Sequence, residues 1–229
     1  MIYFTSDFHF NHQKPFIYEP RGFSTPEEMN DCIIQNFNSI VKFDDDVYVL
    51  GDLMLGGAER HQDGLDLISA LNGKLHIVRG NHDSDKRWEG YKTLHNVVEM
   101  ENSIYVKHKG YHFYLSHYPS VTSNYDYDKP LKARLLNLCG HSHTQNPFTH
   151  SEIGYIYHVE LDCQNMKPIS VDTVIDVFHD MKADMDKRIE KIQPRCDKCR
   201  YCYPNCGDSD ILGNCKTYKR DPPDGGYYG

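Results

Sequence analysis

Polar residues that directly follow predicted strands constrain this 229-residue chain more than any other feature of its sequence. Five segments share this pattern, and they are Asp7-Phe8-His9, Gly51-Asp52, Gly80-Asn81-His82-Asp83, His117 and Gly140-His141-Ser142-His143. In open α/β sheets, ligands bind outside the carboxyl ends of the strands. We therefore expect a fold in which separate loops bring these side chains to one edge of a sheet.

Strands and helices are predicted to alternate in the first half of the chain. Thr25-Pro26-Glu27-Glu28 is a capping box with proline at the first helical position, so a helix should begin there and run to about Val41. A second helix is expected at residues 59–71. Short runs of β-branched and aromatic residues predict strands at residues 2–6, 46–50 and 74–78.

The second half of the chain has a different pattern. Residues 103–108 and 111–116 flank Lys109-Gly110 and predict an antiparallel hairpin. A further strand is expected at residues 135–139 and an edge strand at residues 153–161, before a long amphipathic helix at about residues 171–192. Strands that alternate with helices and then form hairpins favour a mixed α/β sandwich.

The ligand types in the five segments indicate a transition-metal site. Aspartate, asparagine and histidine together supply oxygen and nitrogen, which suit Mn, Fe, Co, Ni or Zn better than calcium. Side chains alternate along an extended strand end, so Asp7 and His9 should point to one side. The same alternation applies to the GHSH segment. Glycines at positions 51, 80 and 140 should allow the sharp turns that bring the next side chain to an ion.

The five segments resemble, in order, the DxH, GD, GNH(D/E), H and GHxH blocks of the calcineurin-like metallophosphoesterase family. Asp162 and Lys167-Pro168-Ile169 resemble the closing segment of that family, so the resemblance covers about the first 190 residues. It implies a four-layer α/β/β/α sandwich with two adjacent metal sites. One ion would be held by Asp7, His9 and His143, and the other by Asn81, His117 and His141, with Asp52 bridging both.

The resemblance also implies a reaction. Two divalent transition-metal ions (Mn, Fe, Zn, Co or Ni) would hydrolyse a phosphodiester or phosphomonoester, with hydroxide held between the ions as the nucleophile. His82 would protonate the leaving oxygen or steady its charge, while Asp83 would orient the His82 ring. His12 and Arg79 are further candidates for substrate contact. Among these esters we favour a small nucleotide-type phosphodiester.

Two other functions are compatible with parts of the sequence. The same fold could serve as a non-catalytic protein-binding module, but such a module would not need the complete ligand set and His82. Alternatively, the cysteine-rich end of the chain could act as an adaptor that recruits a protein or nucleic acid. A net charge of −8 argues against strong nucleic-acid binding, which needs a basic face.

From Gln193 onward the composition changes, and we expect a domain of residues 1–192 followed by a tail of residues 193–229. The tail contains five closely spaced cysteines, Cys196, Cys199, Cys202, Cys206 and Cys215. Clustered thiols in a cytoplasmic protein indicate metal binding, and we favour a structural zinc held by four of the five. An iron–sulfur cluster is the alternative, although the proline typical of the ferredoxin run does not follow Cys206.

The same sequence predicts a cytoplasmic protein. Its apolar runs are shorter than the roughly 20 residues that a membrane-spanning helix needs, and it starts with a short strand where a secretory leader would be apolar. The family resemblance implies a small phosphate ester as the partner. The sequence does not predict an oligomeric state.

Overall fold

The computed structural model describes residues 1–122, 129–149 and 156–196. The chain divides into two compact units, residues 1–175 and 176–229. Four of the five tail cysteines, at positions 199, 202, 206 and 215, lie outside the described residues, as does the predicted zinc site they belong to. The predicted boundary between residues 192 and 193 stays a prediction, and it is crossed by a helix, Val171–Cys196.

The first sheet carries the first three polar segments. Its strands are β1 (Ile2–Thr5), β2 (Asp46–Val49), β3 (Lys74–Val78), β4 (Val97–Glu101) and β10 (Ile169–Ser170). They are ordered β10-β1-β2-β3-β4, with β1 to β4 mutually parallel and β10 antiparallel to β1. Because parallel strands all end at the same edge, the loops after β1, β2 and β3 emerge side by side. The predicted strands at 2–6, 46–50 and 74–78 match β1 to β3, whereas β4 and β10 had not been predicted.

The second sheet carries the remaining segments. Its strands are β5 (Ile104–His108), β6 (Tyr111–Leu115), β7 (Leu135–Cys139), β8 (Phe148–Thr149) and β9 (Ile156–His158), in the order β5-β6-β7-β9-β8. β5 and β6 form the predicted hairpin, and Lys109 and Gly110 both have positive φ (49° and 84°), as a type I′ turn requires. The strand predicted at residues 153–161 corresponds to β9, but its predicted position at the edge of the sheet is wrong. β9 pairs with β7 on one side and with β8 on the other.

The helices Pro26–Ile40 and His61–Ser69 pack on the outer face of the first sheet. The five helices of the described residues are α1 (Pro15–Tyr18), α2 (Pro26–Ile40), α3 (His61–Ser69), α4 (Asp85–Tyr91) and α5 (Val171–Cys196). Helix α2 begins as predicted, with the Thr25 hydroxyl accepting a hydrogen bond from the backbone N–H of Glu28 at 3.1 Å. A 3₁₀ turn (Ala58–Arg60) precedes α3, and α1 and α4 had not been predicted.

The hydrophobic core lies on both faces of the first sheet. On the outer face, Ile33 and Phe37 of α2 and Ile68 of α3 pack with Val49 and Ile77 of the central strands. On the inner face, Phe4 of β1 meets Phe113 of β6 with their ring centroids 5.9 Å apart, so the two sheets face each other. Within the described ranges, no helix is long and apolar enough to cross a membrane.

Candidate metal centre

The first two polar segments are joined through their backbones. The N–H of Asp7 donates to the carbonyl of Gly51 at 3.0 Å, and the N–H of His9 donates to the carbonyl of Asp52 at 3.0 Å. These bonds extend the parallel pairing of β1 and β2 past the ends of the strands. They place the side chains of both loops at the carboxyl edge of the sheet, where the sequence predicted them.

Left-handed backbone conformations aim the candidate ligands at the centre. Positive φ angles occur at Asp7 (59°), His9 (50°), Asp52 (56°), His141 (75°) and His143 (47°). Such angles are uncommon for residues other than glycine, and they cluster where a site imposes them. The expected alternation of an extended strand end is therefore not what brings Asp7 and His9 together. Instead, the left-handed backbone conformation at each of these two residues turns its side chain toward the centre.

Two glycines let the second and third loops approach each other. Gly51 has a φ of +91°, and a Cβ atom there would lie 2.6 Å from Nδ1 of His117. At Gly80 the φ is not positive. Glycine is needed there for steric reasons, because a Cβ atom would lie 2.2 Å from Oδ1 of Asp52. The sequence predicted turns at both glycines, but at Gly80 the requirement is close contact between backbones.

Three side chains form the first candidate ligand group, namely Asp7, His9 and His143, whose ligand atoms all lie within 4.8 Å of one another. Nε2 of His9 is 3.1 Å from Nε2 of His143 and 3.7 Å from Oδ1 of Asp7. Asp7 and His9 are buried, and His143 is half-buried. These are the three residues that the family resemblance assigned to one ion.

A second candidate ligand group lies next to the first and consists of Asp52, His117 and His141. Oδ1 of Asn81 lies 2.8 Å from Nε2 of His117, which places the amide oxygen beside this group. Oδ2 of Asp52 is 3.6 Å from Nε2 of His117 and 3.8 Å from Nε2 of His9. One carboxylate oxygen thus faces ligands of both groups, as a bridging residue would.

The charges of the site favour bound cations. Oδ1 of Asp7 is buried and has no hydrogen-bond partner. Burial raises the pKa of Asp52 to about 6, and the nearby carboxylates of Asp7 and Asp83 add to the increase, while His117 opposes it. Burial also lowers the pKa of His9 to about 4, against the opposing effect of Asp7, so the ring is neutral at pH 7 with a lone pair to offer. Crowded carboxylates, an unpartnered oxygen and a neutral imidazole fit a divalent ion.

His143 is held from behind by a buried ion pair. Its Nδ1 lies 2.9 Å from Oδ2 of Asp162, so Nδ1–H donates to the carboxylate and Nε2 faces the site. Arg21 grips the same carboxylate with two hydrogen bonds of 3.0 and 2.7 Å, and it also donates to the carbonyl of Asp7 at 2.8 Å. Burial alone would raise the pKa of Asp162, but the hydrogen bonds from His143 and Arg21 hold it well below its ordinary range.

Sequence reasoning noted Asp162 only as part of a closing segment and missed Arg21, an isolated arginine in a loop. A second acid, Glu160, also supports the GHSH loop and was missed. It is fully buried, and its two oxygens accept hydrogen bonds from the N–H groups of Ser142, at 3.1 Å, and Thr144. A glutamate inside the strand predicted at residues 153–161 is the signal that could have identified it, since a buried carboxylate needs donors.

His82 lies at the open side of the centre. Its side chain is 40% exposed, and its Nε2 is 3.9 Å from Oδ2 of Asp52. The N–H of His82 donates to Oδ1 of Asp52 at 2.8 Å, which anchors the loop, and the ring packs edge-on against that of His9 with the centroids 5.4 Å apart. This position suits a group that meets substrate.

Asp83 does not orient the His82 ring, contrary to expectation. Its carboxylate accepts hydrogen bonds from the N–H groups of Asp52, at 2.9 Å, and Gly80, at 2.8 Å, from the hydroxyl of Tyr91 at 2.9 Å and more weakly from the N–H of Leu53. Those donors occupy both oxygens of a buried side chain, so Asp83 ties together the two loops that carry Asp52 and Asn81.

The two residues proposed for substrate contact are engaged in other interactions. His12 is buried and packs edge-on between His9 and Phe16, and burial lowers its pKa. The Arg79 guanidinium donates to the carbonyl of Asp83 and pairs with Asp85. The two Arg79 contacts hold the start of α4. Substrate contact by His12 and Arg79 stays a prediction.

Comparison with known families identifies the fold. The family model described as a calcineurin-like phosphoesterase superfamily domain matches residues 1–160, the part of the chain that carries all five polar segments. The chain belongs to this superfamily. The predicted phosphoesterase fold, an α/β sandwich, is therefore confirmed, and the family typically depends on two metal ions.

Several relatives share most of the phosphoesterase domain. An uncharacterized protein of Methanocaldococcus jannaschii (MJ1445) is 32% identical over 186 residues, covering 80% of this chain and 93% of the relative. The gene 66 protein of Mycobacterium phage L5 is 26% identical over 162 residues, covering 63% of this chain and 77% of that protein. Among solved structures, a protein of unknown function from Aquifex aeolicus (AQ665) superimposes with a TM-score of 0.59 at 25% identity, covering 77% of this chain and 98% of the other.

Proposed function

We propose that this protein hydrolyses a phosphodiester or phosphomonoester with the help of two divalent transition-metal ions. Asp7, His9 and His143 would hold one ion, and Asn81, His117 and His141 the other. The observation that carries the proposal is the position of Asp52, whose Oδ2 lies within 4 Å of ligand nitrogens of both groups, 3.8 Å from His9 and 3.6 Å from His117. When bound, such a pair of ions supplies a Lewis acid for the phosphoryl group and lowers the pKa of water.

The chain's own residues would perform the remaining steps. His82, with its exposed ring beside Asp52, is placed to donate a proton to the leaving oxygen or to stabilise its charge. Asp83 keeps His82 in position indirectly, because it fixes the Gly80 backbone that precedes the ligand Asn81. Asp162 keeps the His143 imidazole in the tautomer that leaves Nε2 available.

A small nucleotide-type phosphodiester is the substrate that we favour. The site lies at the edge of a sheet, in loops that leave His82 and Asn81 partly exposed, so a small or chain-end ester can reach it. The competing proposal is a non-catalytic binding module. Asp7 and Asp52 are two buried carboxylates that would be costly to keep without cations, and the exposed His82 ring beside Asp52 favours the enzyme.

Metal removal and reloading test the proposal directly. The full chain would be treated with chelator, reloaded with manganese, and assayed with bis-p-nitrophenyl phosphate and p-nitrophenyl phosphate. We expect turnover of at least one ester only after reloading. Replacing His82→Ala should lower kcat while metal content stays unchanged. The loss should reach about 10²- to 10⁴-fold, the usual contribution of a general acid, for an ester whose leaving group is a more basic alkoxide than p-nitrophenolate.

His95→Ala is the matched control, because His95 is an exposed histidine whose recorded partner is the Ser69 hydroxyl, away from the centre. Its activity should equal that of the unmodified protein. Absence of metal-dependent hydrolysis of both esters, in protein shown to bind two ions, would favour the binding module.

A further inference from the structure

Tyr118 presents an exposed aromatic ring at the second ligand group. Its ring centroid lies 5.1 Å from that of His117 and 4.7 Å from that of His141, both edge-on. The residue is nevertheless 51% exposed. A large apolar ring beside a polar centre, with half its surface in water, is the kind of group that ligand sites use to hold the organic part of a ligand.

The loop that carries Tyr118 is anchored. The backbone carbonyl of Tyr118 accepts hydrogen bonds from the hydroxyls of Ser116 and Ser120 at 2.8 and 3.0 Å. Asn137, fully buried on β7, holds both ends of this turn: its Nδ2 donates to Oγ of Ser116 at 2.9 Å and its Oδ1 accepts from the N–H of Ser120 at 2.8 Å. The exposed ring therefore stands on a fixed backbone, which lowers the entropy lost on binding.

The arginines at the centre are already engaged. Arg21 pairs with Asp162, Arg79 pairs with Asp85, and Arg87 donates to the carbonyls of His82 and Gly56 at 2.6 and 2.8 Å. A substrate with several phosphates would need cationic side chains beyond the metal ions. Contacts to a flat organic group would instead add affinity without further charge. Among the phenylalanine, tyrosine and tryptophan rings of the described residues, Tyr118 is the one that adjoins His117 and His141.

We propose that the ring of Tyr118 is the platform on which an aromatic ring of the substrate, a nucleobase, stacks while the phosphate occupies the metal centre. This inference rests on the proposed phosphoesterase function and specifies its substrate class. Stacking is attractive for every base, so Tyr118 selects for the presence of a base and discriminates little between bases.

Two esters with the same leaving group test this. Thymidine 5′-(p-nitrophenyl phosphate) and methyl p-nitrophenyl phosphate differ only in whether a nucleoside is present. With the manganese-loaded full chain, Tyr118→Ala should raise KM for the thymidine ester about 5- to 150-fold, which is the factor that stacking of about 1–3 kcal/mol gives at 1.4 kcal/mol per tenfold. kcat should change little, because stacking is present in the ground state and the transition state alike.

The methyl ester supplies the internal control, and its KM should not change. Tyr118→Phe, which keeps the ring, should behave as the unmodified protein does with both esters. Phe43→Ala is the matched control variant, since Phe43 is 75% exposed and lies after α2, outside the centre. Calorimetric titration of thymidine 5′-monophosphate onto the metal-loaded proteins should show the same loss of affinity for Tyr118→Ala without relying on turnover.

The possible failures are distinguishable. If the unmodified protein hydrolyses neither ester, the proposed function is at fault. If it hydrolyses both and Tyr118→Ala affects them equally, stacking on Tyr118 is overturned. Stacking on Tyr118 is also overturned if Phe16→Ala, and not Tyr118→Ala, raises KM for the thymidine ester. The base would then lie on the other side of the centre, beside His12.

Discussion

The candidate ligand side chains of this centre are held in place by other residues around them. His143 illustrates this arrangement: its Nδ1 is bound by Asp162, and Asp162 is bound in turn by Arg21, whose side chain is only 1% exposed. A metal-binding histidine with a fixed partner on its second nitrogen keeps one tautomer and one ring orientation. The affinity of the centre for metal should therefore depend on residues that never touch an ion.

Replacing Asp162→Asn should lower the affinity of one of the two metal sites by about 10- to 100-fold, the usual effect of losing such a partner. The loss follows because an amide neither carries the negative charge nor fixes the His143 tautomer. Competition with a chromophoric chelator would measure both sites. Asp66→Asn, on the exposed face of α3 where Asp66 accepts a bond from Gln62, is the control and should leave both affinities unchanged. Equal affinities in the two variants would contradict the role assigned to Asp162.

At the scale of elements, the centre depends on how closely three loops approach one another. The loops after β1, β2 and β3 are side by side because their strands are parallel, and the N–H of Gly80 donates to Asp83 at 2.8 Å where the second and third loops meet. Alanine at Gly80 would place Cβ 2.5 Å from the backbone nitrogen of Asp52, an atom that cannot move without its strand. Crowding at this point affects the fold and the site together.

Gly80→Ala should lower the free energy of unfolding by about 1–3 kcal/mol, as overpacking in a tight interior does, and should also weaken metal binding because Asp52 is displaced. Chemical denaturation and metal titration would measure the two effects. Gly110→Ala separates them: Gly110 has a φ of +84° in the β5–β6 turn, and a Cβ there would meet Lys132 at an ordinary 3.4 Å. This control should lose stability through backbone strain and keep its metal affinity. Unchanged metal affinity in Gly80→Ala would contradict this prediction, because it would show that the loops after β2 and β3 can move apart without disturbing the metal centre.

For the molecule as a whole, the open question is how the cysteine-rich tail folds. Residues 193–229 combine five cysteines with few apolar side chains, so a hydrophobic core of their own is not available to them. A bound metal can replace such a core, because its binding free energy becomes folding free energy. The zinc site, the adaptor role of the tail and the cytoplasmic location of the protein stay predictions.

The full-length protein should retain one zinc ion per chain after mild chelation has emptied the phosphoesterase centre, because a closed site of four thiolates releases zinc slowly. Elemental analysis would count the ion, and a mercurial reagent that titrates thiols should release it. Protein with serine in place of both Cys199 and Cys202 should lack this ion and keep the two manganese sites. Iron, inorganic sulfide and visible absorption in the purified protein would establish an iron–sulfur cluster and exclude the zinc prediction.

The sequence by itself determined where the strands that precede the polar segments lie along the chain, the seven candidate ligands and the superfamily. It could do so because each polar segment follows its strand locally and the segments keep a characteristic order. Tertiary structure alone decided what supports those ligands. Arg21 and Asp162 are 141 positions apart, and Tyr118 reaches His141 only because β6 and β7 are parallel neighbours. The sequence correctly predicted that the side chains of Asp7 and His9 lie together, but for the wrong reason. Left-handed φ angles bring them together, where alternation along an extended strand had been expected. Neighbouring residues in the sequence determine where a strand ends and which ligand types follow it. Burial, hydrogen-bond partners and backbone strain arise only when distant segments pack together.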